Sequence, residues 1–271
     1  MSDYPSRIIC LTEESTELFY LLGEEWRIVG ISAYTKRPPQ AAQQKPKVSS
    51  FISANMEKIE RLKPELIIGF SDIQAALAHK LIEKGYQVLI TNQRSLKEIF
   101  EVMQLLSRIV SREEEGKKLI QSWQEKLRQI HEESQILIEK SGGRRVRVFF
   151  QEWDEPLISC IEWVGELIFI CGGEDIFFSR GRKSASERIV TKEEVASHNP
   201  EIWLNSWCGK ACDKEWITNE AKWQEVEAIR KNEIYEIESE IILQPGPALF
   251  LAGVERIRDI IHRYYKRYLI P

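Results

Sequence analysis

Between Ser95 and Ser141 the chain contains no proline and one glycine, Gly116. Through this stretch apolar residues recur every three or four positions: Leu96, Ile99, Met103, Leu106 and Val110, then Ile120, Trp123, Leu127, Ile130 and Leu137. That period gathers them on one face of an α-helix. Ser111 followed by Glu114 reads as a capping box, which predicts two helices meeting near Ser111. Gly142 and Gly143 suit the C-terminus of the second. About 30 residues at ~1.5 Å each give a rod of roughly 45 Å, longer than most helices of a compact domain. Short strands and helices lie on both sides of it, so the expectation is two lobes on a stiff connector.

A chain of 271 residues has room for two lobes of about 100 residues each. Hydrophobic residues make up 43% and charged ones 30%, as in a globular protein, and the formal net charge of −4 offers no basic face for nucleic acid. No apolar run approaches the ~20 residues of a membrane-spanning helix. Arg7, Glu13, Glu14 and Glu17 interrupt the first twenty residues, leaving no export signal. The expected location is therefore cytoplasmic, or periplasmic or at the cell surface if a leader has been removed. The five cysteines (Cys10, Cys160, Cys171, Cys208, Cys212) are expected to be reduced and mostly buried.

In chain order, strands are expected at 7–12, 27–32, 66–70 and 87–91 before the rod, and at 146–150, 202–207 and 233–237 after it. Helices are expected to begin near Ser15, at Glu57 and at Asp72, then over 163–171 (closed by Gly172 and Gly173) and over 193–198. A final helix turns Leu251, Val254, Ile257, Ile260, Ile261 and Tyr264 inward. The twenty residues after Ser32, with Pro38, Pro39 and Pro46, read as a loop. The halves echo each other: IERLKPELIIGFSD at 59–72 aligns with VASHNPEIWLNSWC at 195–208, and LTEE at 11–14 falls where FQEW falls at 150–153. Alternating strands and helices predict parallel α/β sheets, whose ligands bind beyond the carboxyl ends of the strands.

Those ends carry Thr12, Glu13, Glu14, Ser32, Tyr34, Phe70, Ser71 and Asp72 in the first half. In the second they carry Glu152, Trp153, Asp154, Trp207, Cys208, Gly209, Lys210, Gln244 and Gly246. Aromatics mixed with carboxylates and amides suit a large, flat, partly polar ligand, rings stacking on its faces and polar groups meeting its rim. Trp153 and Trp207 can equally cap the sheet core. Cys208 and Cys212 are spaced for half a zinc site, and Lys210 beside Cys208 suits an activated thiol, but no histidine or second pair completes either. His79, His131, His198 and His262 lie on predicted helices or just before a proline. The pairs Glu13/Glu14 and Glu152/Asp154 could do acid–base work, although no nucleophile or phosphate loop accompanies them.

The segments RIICLTEESTELFYLLGEEWRIVGIS (7–32), PELIIGFSD (64–72), QEWDEPLIS (151–159), SWCGK (206–210) and ILQPGPA (242–248) carry a likeness that covers roughly positions 5 to 265. The chain resembles the helical-backbone (class III) periplasmic substrate-binding proteins, which bind corrinoids, iron–siderophores or haem, and most of all their cobalamin-binding branch. The resemblance implies two Rossmann-like α/β lobes with parallel sheets (1–110 and 142–271) joined by one long helix (111–141). The ligand, a cobalamin or related corrinoid, would lie in the cleft between the lobes, bound without turnover and with no metal held by the protein itself. The implied binding set is the strand-end group above together with Ser50 and Phe51. Cys208 is a further candidate for reaching the ligand's metal. The family's partner is an ABC permease, docked through one acidic residue on each lobe, for which Asp72 and Glu215 are the candidates. A monomer is expected. Without an export signal, storage or handover of a corrinoid is the matching role. A metal chelate in the same cleft, or a thiol- or carboxylate-dependent enzyme on the scaffold, are the alternatives.

Overall fold

The computed structural model describes residues 4–182 and 184–270, in two compact units. The first takes the described residues through Gln93, then Lys97–Ser122 and Gln244–Ala248; the second takes Arg94–Leu96, Trp123–Leu243 and the described residues from Leu249 onward.

In the first unit β1 (Ile8–Cys10), α1 (Glu13–Leu21), β2 (Ile28–Ser32), α2 (Pro39–Gln44), β3 (Lys47–Ser49), α3 (Met56–Leu62), β4 (Leu66–Phe70), α4 (Ala75–Glu83) and β5 (Val88–Thr91) follow in turn. The sheet runs β3-β2-β1-β4-β5 with every pairing parallel. Strand order reverses between β1 and β4, because the chain first builds outward through β2 and β3 and then crosses to the other side. The near-continuous apolar strands IIC, IVGIS and LIIGF fit a sheet buried on both faces. Ile9, Leu11, Val48, Ile59, Ile67, Leu77 and Leu81 form a core beside it.

The segment read as a loop after Ser32 holds α2 and β3. Pro39 begins α2 at a position where its fixed φ helps and its missing N–H costs nothing. Val48 is buried and gives β3 its hold on the sheet edge.

The rod is two helices, α5 (Leu96–Ile109) and α6 (Glu113–Lys140), the second about 42 Å long at 1.5 Å per residue and continuous from the first unit into the second. Every stripe residue is buried except Leu137, which is half-buried while Ile138 takes the core position. Ser111 does not cap α6. Its φ of 59° is left-handed, and the bonds Ser111 N–H to Arg108 O and Arg112 N–H to Ser107 O close α5 in a Schellman motif. Gly142 closes α6 the same way, with φ 81°. Gly116 lets α6 approach α5, since a Cβ there would stand 2.1 Å from Ser107 Oγ.

The second unit contains β6 (Val146–Trp153), β7 (Ile158–Ser159), α7 (Glu162–Ile170), β8 (Gly173–Asp175), α8 (Lys192–His198), β9 (Ile202–Asn205), α9 (Lys214–Asn219), α10 (Glu227–Arg230), β10 (Ile234–Glu236), α11 (Ser239–Ile242) and α12 (Val254–Tyr264). β10, β9, β6 and β8 pair in parallel, while β7 folds back antiparallel on the end of β6. Order reverses between β6 and β9. Gly172, at φ 92°, ends α7 as expected, but Gly173 opens β8, a strand too short to leave a periodic signal. Leu251, expected to face inward, is 39% exposed because the helix there is a π-turn (Leu249–Gly253) that shifts the apolar face.

The echo between the halves has a physical counterpart. α3 stops on left-handed Lys63 before Pro64, and α8 stops on left-handed Asn199 before Pro200. The glutamate after each proline ties the start of its lobe's first strand. Glu65 accepts from Ser6 N–H (2.6 Å) and Arg7 N–H (3.1 Å), and Glu201 accepts from Arg147 N–H (3.0 Å) while pairing with Arg144. Glu201 is the buried member. Glu201→Ala is therefore expected to lower the unfolding free energy by about 2–3 kcal/mol, read from the urea midpoint, by removing charged hydrogen bonds to a buried strand end.

Candidate functional site

At the first unit's strand reversal the chain leaves β1 through Leu11 and Thr12 into the N-terminus of α1, where acidic side chains are favoured. Glu13 accepts from the backbone N–H groups of Lys36 (3.2 Å) and Arg37 (2.9 Å). Glu17 pairs with Arg37 at 2.7 Å and accepts from the Ala248 N–H. Glu14, 6% exposed, takes the Thr12 hydroxyl on Oε1 and has no partner for Oε2. Gly246 lies against it, so closely that a Cβ on the glycine would stand 2.4 Å from Glu14 Cβ. Across the reversal, Ser71 sits at φ 70° and accepts the Ile73 N–H on its hydroxyl. Gln74 links the end of β4 to the segment after β3, accepting from Phe70 N–H (3.0 Å) and donating to Phe51 O (2.9 Å). Phe70 is buried, Ser50 and Phe51 are half-buried, and Tyr34 and Asp72 are exposed. Gln244 is half-buried in the loop that brings Gly246 to Glu14, and Gln93 just beyond β5 donates to Pro245 O in that loop.

In the second unit the residues at and just beyond the end of β6 are held by cations. Arg188, 1% exposed, clasps Glu152 through both terminal nitrogens (Nη2–Oε1 3.0 Å) and also donates to Ser159 O. Lys210 pairs with Asp154 at 2.7 Å. Its ammonium also lies 4.4 Å from the centre of the Trp153 ring and 4.9 Å from that of Trp207. Trp153 and Trp207, alike in the sequence, differ here. Trp153 is half-buried and donates its indole N–H to Glu155 O. Trp207 is 3% exposed and edge-on to Trp216, which continues through Trp223 to Trp203 in the core. The left-handed Gly209 (φ 82°) turns the loop after Cys208, which is exposed, and Cys212 is half-buried, its thiol pushed up to about 12 by burial. Among the described residues no three His, Cys, Asp or Glu side chains gather as metal ligands, and no helix is long and apolar enough to cross a membrane.

Buried polar atoms without a partner concentrate at these strand ends. They include Glu14 Oε2 after β1, Thr35 Oγ1 after β2, Ser49 Oγ on β3 and Gln93 Oε1 after β5. In the second unit they include Asn205 Oδ1, Ser206 Oγ and Trp207 Nε1, consecutive along the exit of β9. An unbonded buried polar atom costs about 1–3 kcal/mol, so a run of them at the places where α/β sheets bind ligands is an arrangement that a polar-rimmed ligand would relieve. Thr35, Ser49, Gln93, Asn205 and Ser206 were absent from the candidate set read from the sequence. They are uncharged residues of common type, and Asn205–Ser206 lies inside a stretch that reads simply as strand.

Burial pushes the carboxyls of Glu13, Glu14 and Asp175 up to about 7. Folding therefore takes up protons between the ordinary carboxylate range and about pH 7. Stability is greatest at the acid side of that window and is lost as pH rises through it. The carboxylates held low by partners, Glu24 and Glu227 among them, act only below the window, and His262, lowered by burial, acts in the opposite sense. Chemical denaturation is expected to show stability falling by about 1 kcal/mol or more per pH unit from pH 5.5 to 7.5, with a shallower slope in Glu14→Gln.

Two α/β lobes with their polar residues at the strand reversals, joined by one long helix, define the class. The chain belongs to the periplasmic binding protein family, which it matches over residues 8–241. Among its relatives, the vitamin B12-binding protein of Vibrio parahaemolyticus is 26% identical over 253 residues, 92% of this chain and 87% of that one. The uncharacterized ABC transporter substrate-binding lipoprotein YvrC of Bacillus subtilis is 23% identical over 266 residues, 95% of this chain and 80% of that one. The periplasmic vitamin B12 binding protein BtuF of Vibrio cholerae shares the fold with a TM-score of 0.72 and 24% identity, covering 97% of this chain and 98% of that chain. These findings overturn the cytoplasmic expectation, because the family is periplasmic and a lipoprotein stands among the relatives. Residues 8–21 form β1 and α1, so they report on the fold and not on cellular address.

Proposed function

We propose that this protein binds a corrinoid, of cobalamin or cobinamide type, and passes it on chemically unchanged. The observation that carries the reading is that each lobe has unbonded buried polar atoms at its strand reversal, and that the second lobe also carries Trp153, Lys210 and Trp207 in contact there. A corrin is a large, flat macrocycle with a rim of amides, which pairs aromatic faces with uncharged hydrogen-bonding groups. The vitamin B12-binding relatives support the same ligand class. The site residues proposed are the strand-end set read from the sequence, extended by Thr35, Ser49, Gln93, Asn205 and Ser206. An ABC permease is the proposed recipient, with exposed Asp72 and Glu215 as docking residues.

Thermal shift against cyanocobalamin, dicyanocobinamide, haem and a ferric siderophore tests this reading. A ligand present at 100 times its Kd adds about 2.7 kcal/mol of apparent stability, a shift of a few degrees for a chain of this size. The corrinoids alone are expected to give it. A shift with haem or the siderophore and none with either corrinoid would replace the reading with that ligand.

A further inference from the structure

Glu14 stands apart from the other acidic residues of α1. Of the three acidic residues on α1 that crowd the strand reversal, Glu13 is satisfied by two backbone N–H groups and Glu17 by Arg37 and the Ala248 N–H. Glu14 takes the Thr12 hydroxyl on Oε1 and its own backbone N–H, and its Oε2 has no partner. Its charged neighbours on α1 are Glu13 and Glu17, and Lys36 and Arg37 on the segment after β2 meet those two. Arg37 is committed to Glu17, and the Gln244–Ala248 loop that presses Gly246 against Glu14 brings no charge. The vicinity is thus acidic and buried, and it leaves Glu14 Oε2 without a donor.

Resting on the corrinoid reading, we infer that Glu14 selects the chemistry of the ligand's rim: its unbonded Oε2 accepts an N–H from a carboxamide and turns away a carboxylate. A macrocycle whose rim is amidated meets an acceptor that lacks a donor. One whose rim is acidic brings a second negative group to a buried carboxylate that has no cation of its own, where little solvent screens the repulsion. The preference separates amidated corrinoids from their carboxylic-acid counterparts, and it disfavours macrocycles that present propionates to this lobe. Gly246 belongs to the same device, since any side chain there would displace Glu14.

The test measures Kd at pH 8, where the Glu14 carboxyl, raised by burial to about 7, is mostly ionised. The ligands are dicyanocobinamide, with an amide rim, dicyanocobyrinic acid, with a free-acid rim, and the heptamethyl ester of that acid, neutral but without N–H donors. The acid is expected to bind at least 100-fold more weakly than the amide, with the ester between them. In Glu14→Gln the acid-to-amide ratio is expected to shrink at least tenfold. Acid binding within threefold of amide in the wild-type protein would overturn the inference while leaving the corrinoid reading standing, as would an unchanged ratio in the variant. Failure of all three ligands to bind removes the corrinoid reading and the inference with it. The wild-type ligand series can still overturn the inference if the variant does not fold.

Discussion

Arg188→Ala is expected to lower the unfolding free energy by about 3 kcal/mol, the cost of leaving a partly buried carboxylate without its partner and a void where a buried side chain stood. The guanidinium is 1% exposed, clasps Glu152 at the carboxyl end of β6, and fixes β7 through Ser159 O. Removing it strands the Glu152 carboxylate and frees a strand end in the same step. The double variant Arg188→Met with Glu152→Leu is expected to recover more than half of the loss, because an apolar pair of similar volume carries no desolvation cost. Urea titrations of the two proteins decide it. Equal losses in the single and double variants would show that neither the stranded charge nor the lost volume sets the cost, and would leave the hydrogen bond to Ser159 O as its source.

The second large effect separates two tryptophans that the sequence treats alike. Trp207→Ala is expected to cost about 3–5 kcal/mol of stability, since the ring is buried and begins the edge-to-face series Trp207, Trp216, Trp223, Trp203. Trp153→Ala leaves that series intact and removes a half-buried ring that lies under Lys210. Its expected cost in stability is within about 1 kcal/mol, while corrinoid affinity falls about tenfold to a hundredfold, the range for loss of an aromatic stacking partner. Titration of tryptophan fluorescence against cyanocobalamin, alongside denaturation, reads both quantities. Unaltered affinity in a folded Trp153→Ala protein would take that ring out of the binding set.

Much of the architecture is written in local patterns. The stripe from Leu96 to Val110 and from Ile120 to Ile130 needs only helical periodicity to be read, and every one of those residues is buried. The strands IIC, IVGIS and LIIGF announce themselves as apolar runs between turn residues. The Pro-Glu echo after α3 and α8 points to duplication, and the structure shows each glutamate tying down its lobe's first strand. Short or irregular elements escape this reading. β3, β7 and β8 span two or three residues and draw their stability from neighbours in the sheet. Ser111 has the right identity for a helix cap and the wrong φ for one.

The site divides along the same line. Sequence alone determined the fold class, the long helix and the places where chemistry had to be sought, because apolar periodicity and strand order are properties of neighbours along the chain. It could not determine which polar groups are already spoken for. Glu13, Glu14, Glu152 and Asp154 are four carboxylates of equal promise in the sequence. Packing gives Glu13 two backbone donors and Glu14 the Thr12 hydroxyl, gives Arg188 and Lys210 to the last two, and leaves one oxygen of Glu14 unbonded. The same holds for Trp153 and Trp207, one half-open and one sealed in the core. Hydrogen-bond partners and burial are set by residues far apart in the chain, so only the tertiary structure decides them.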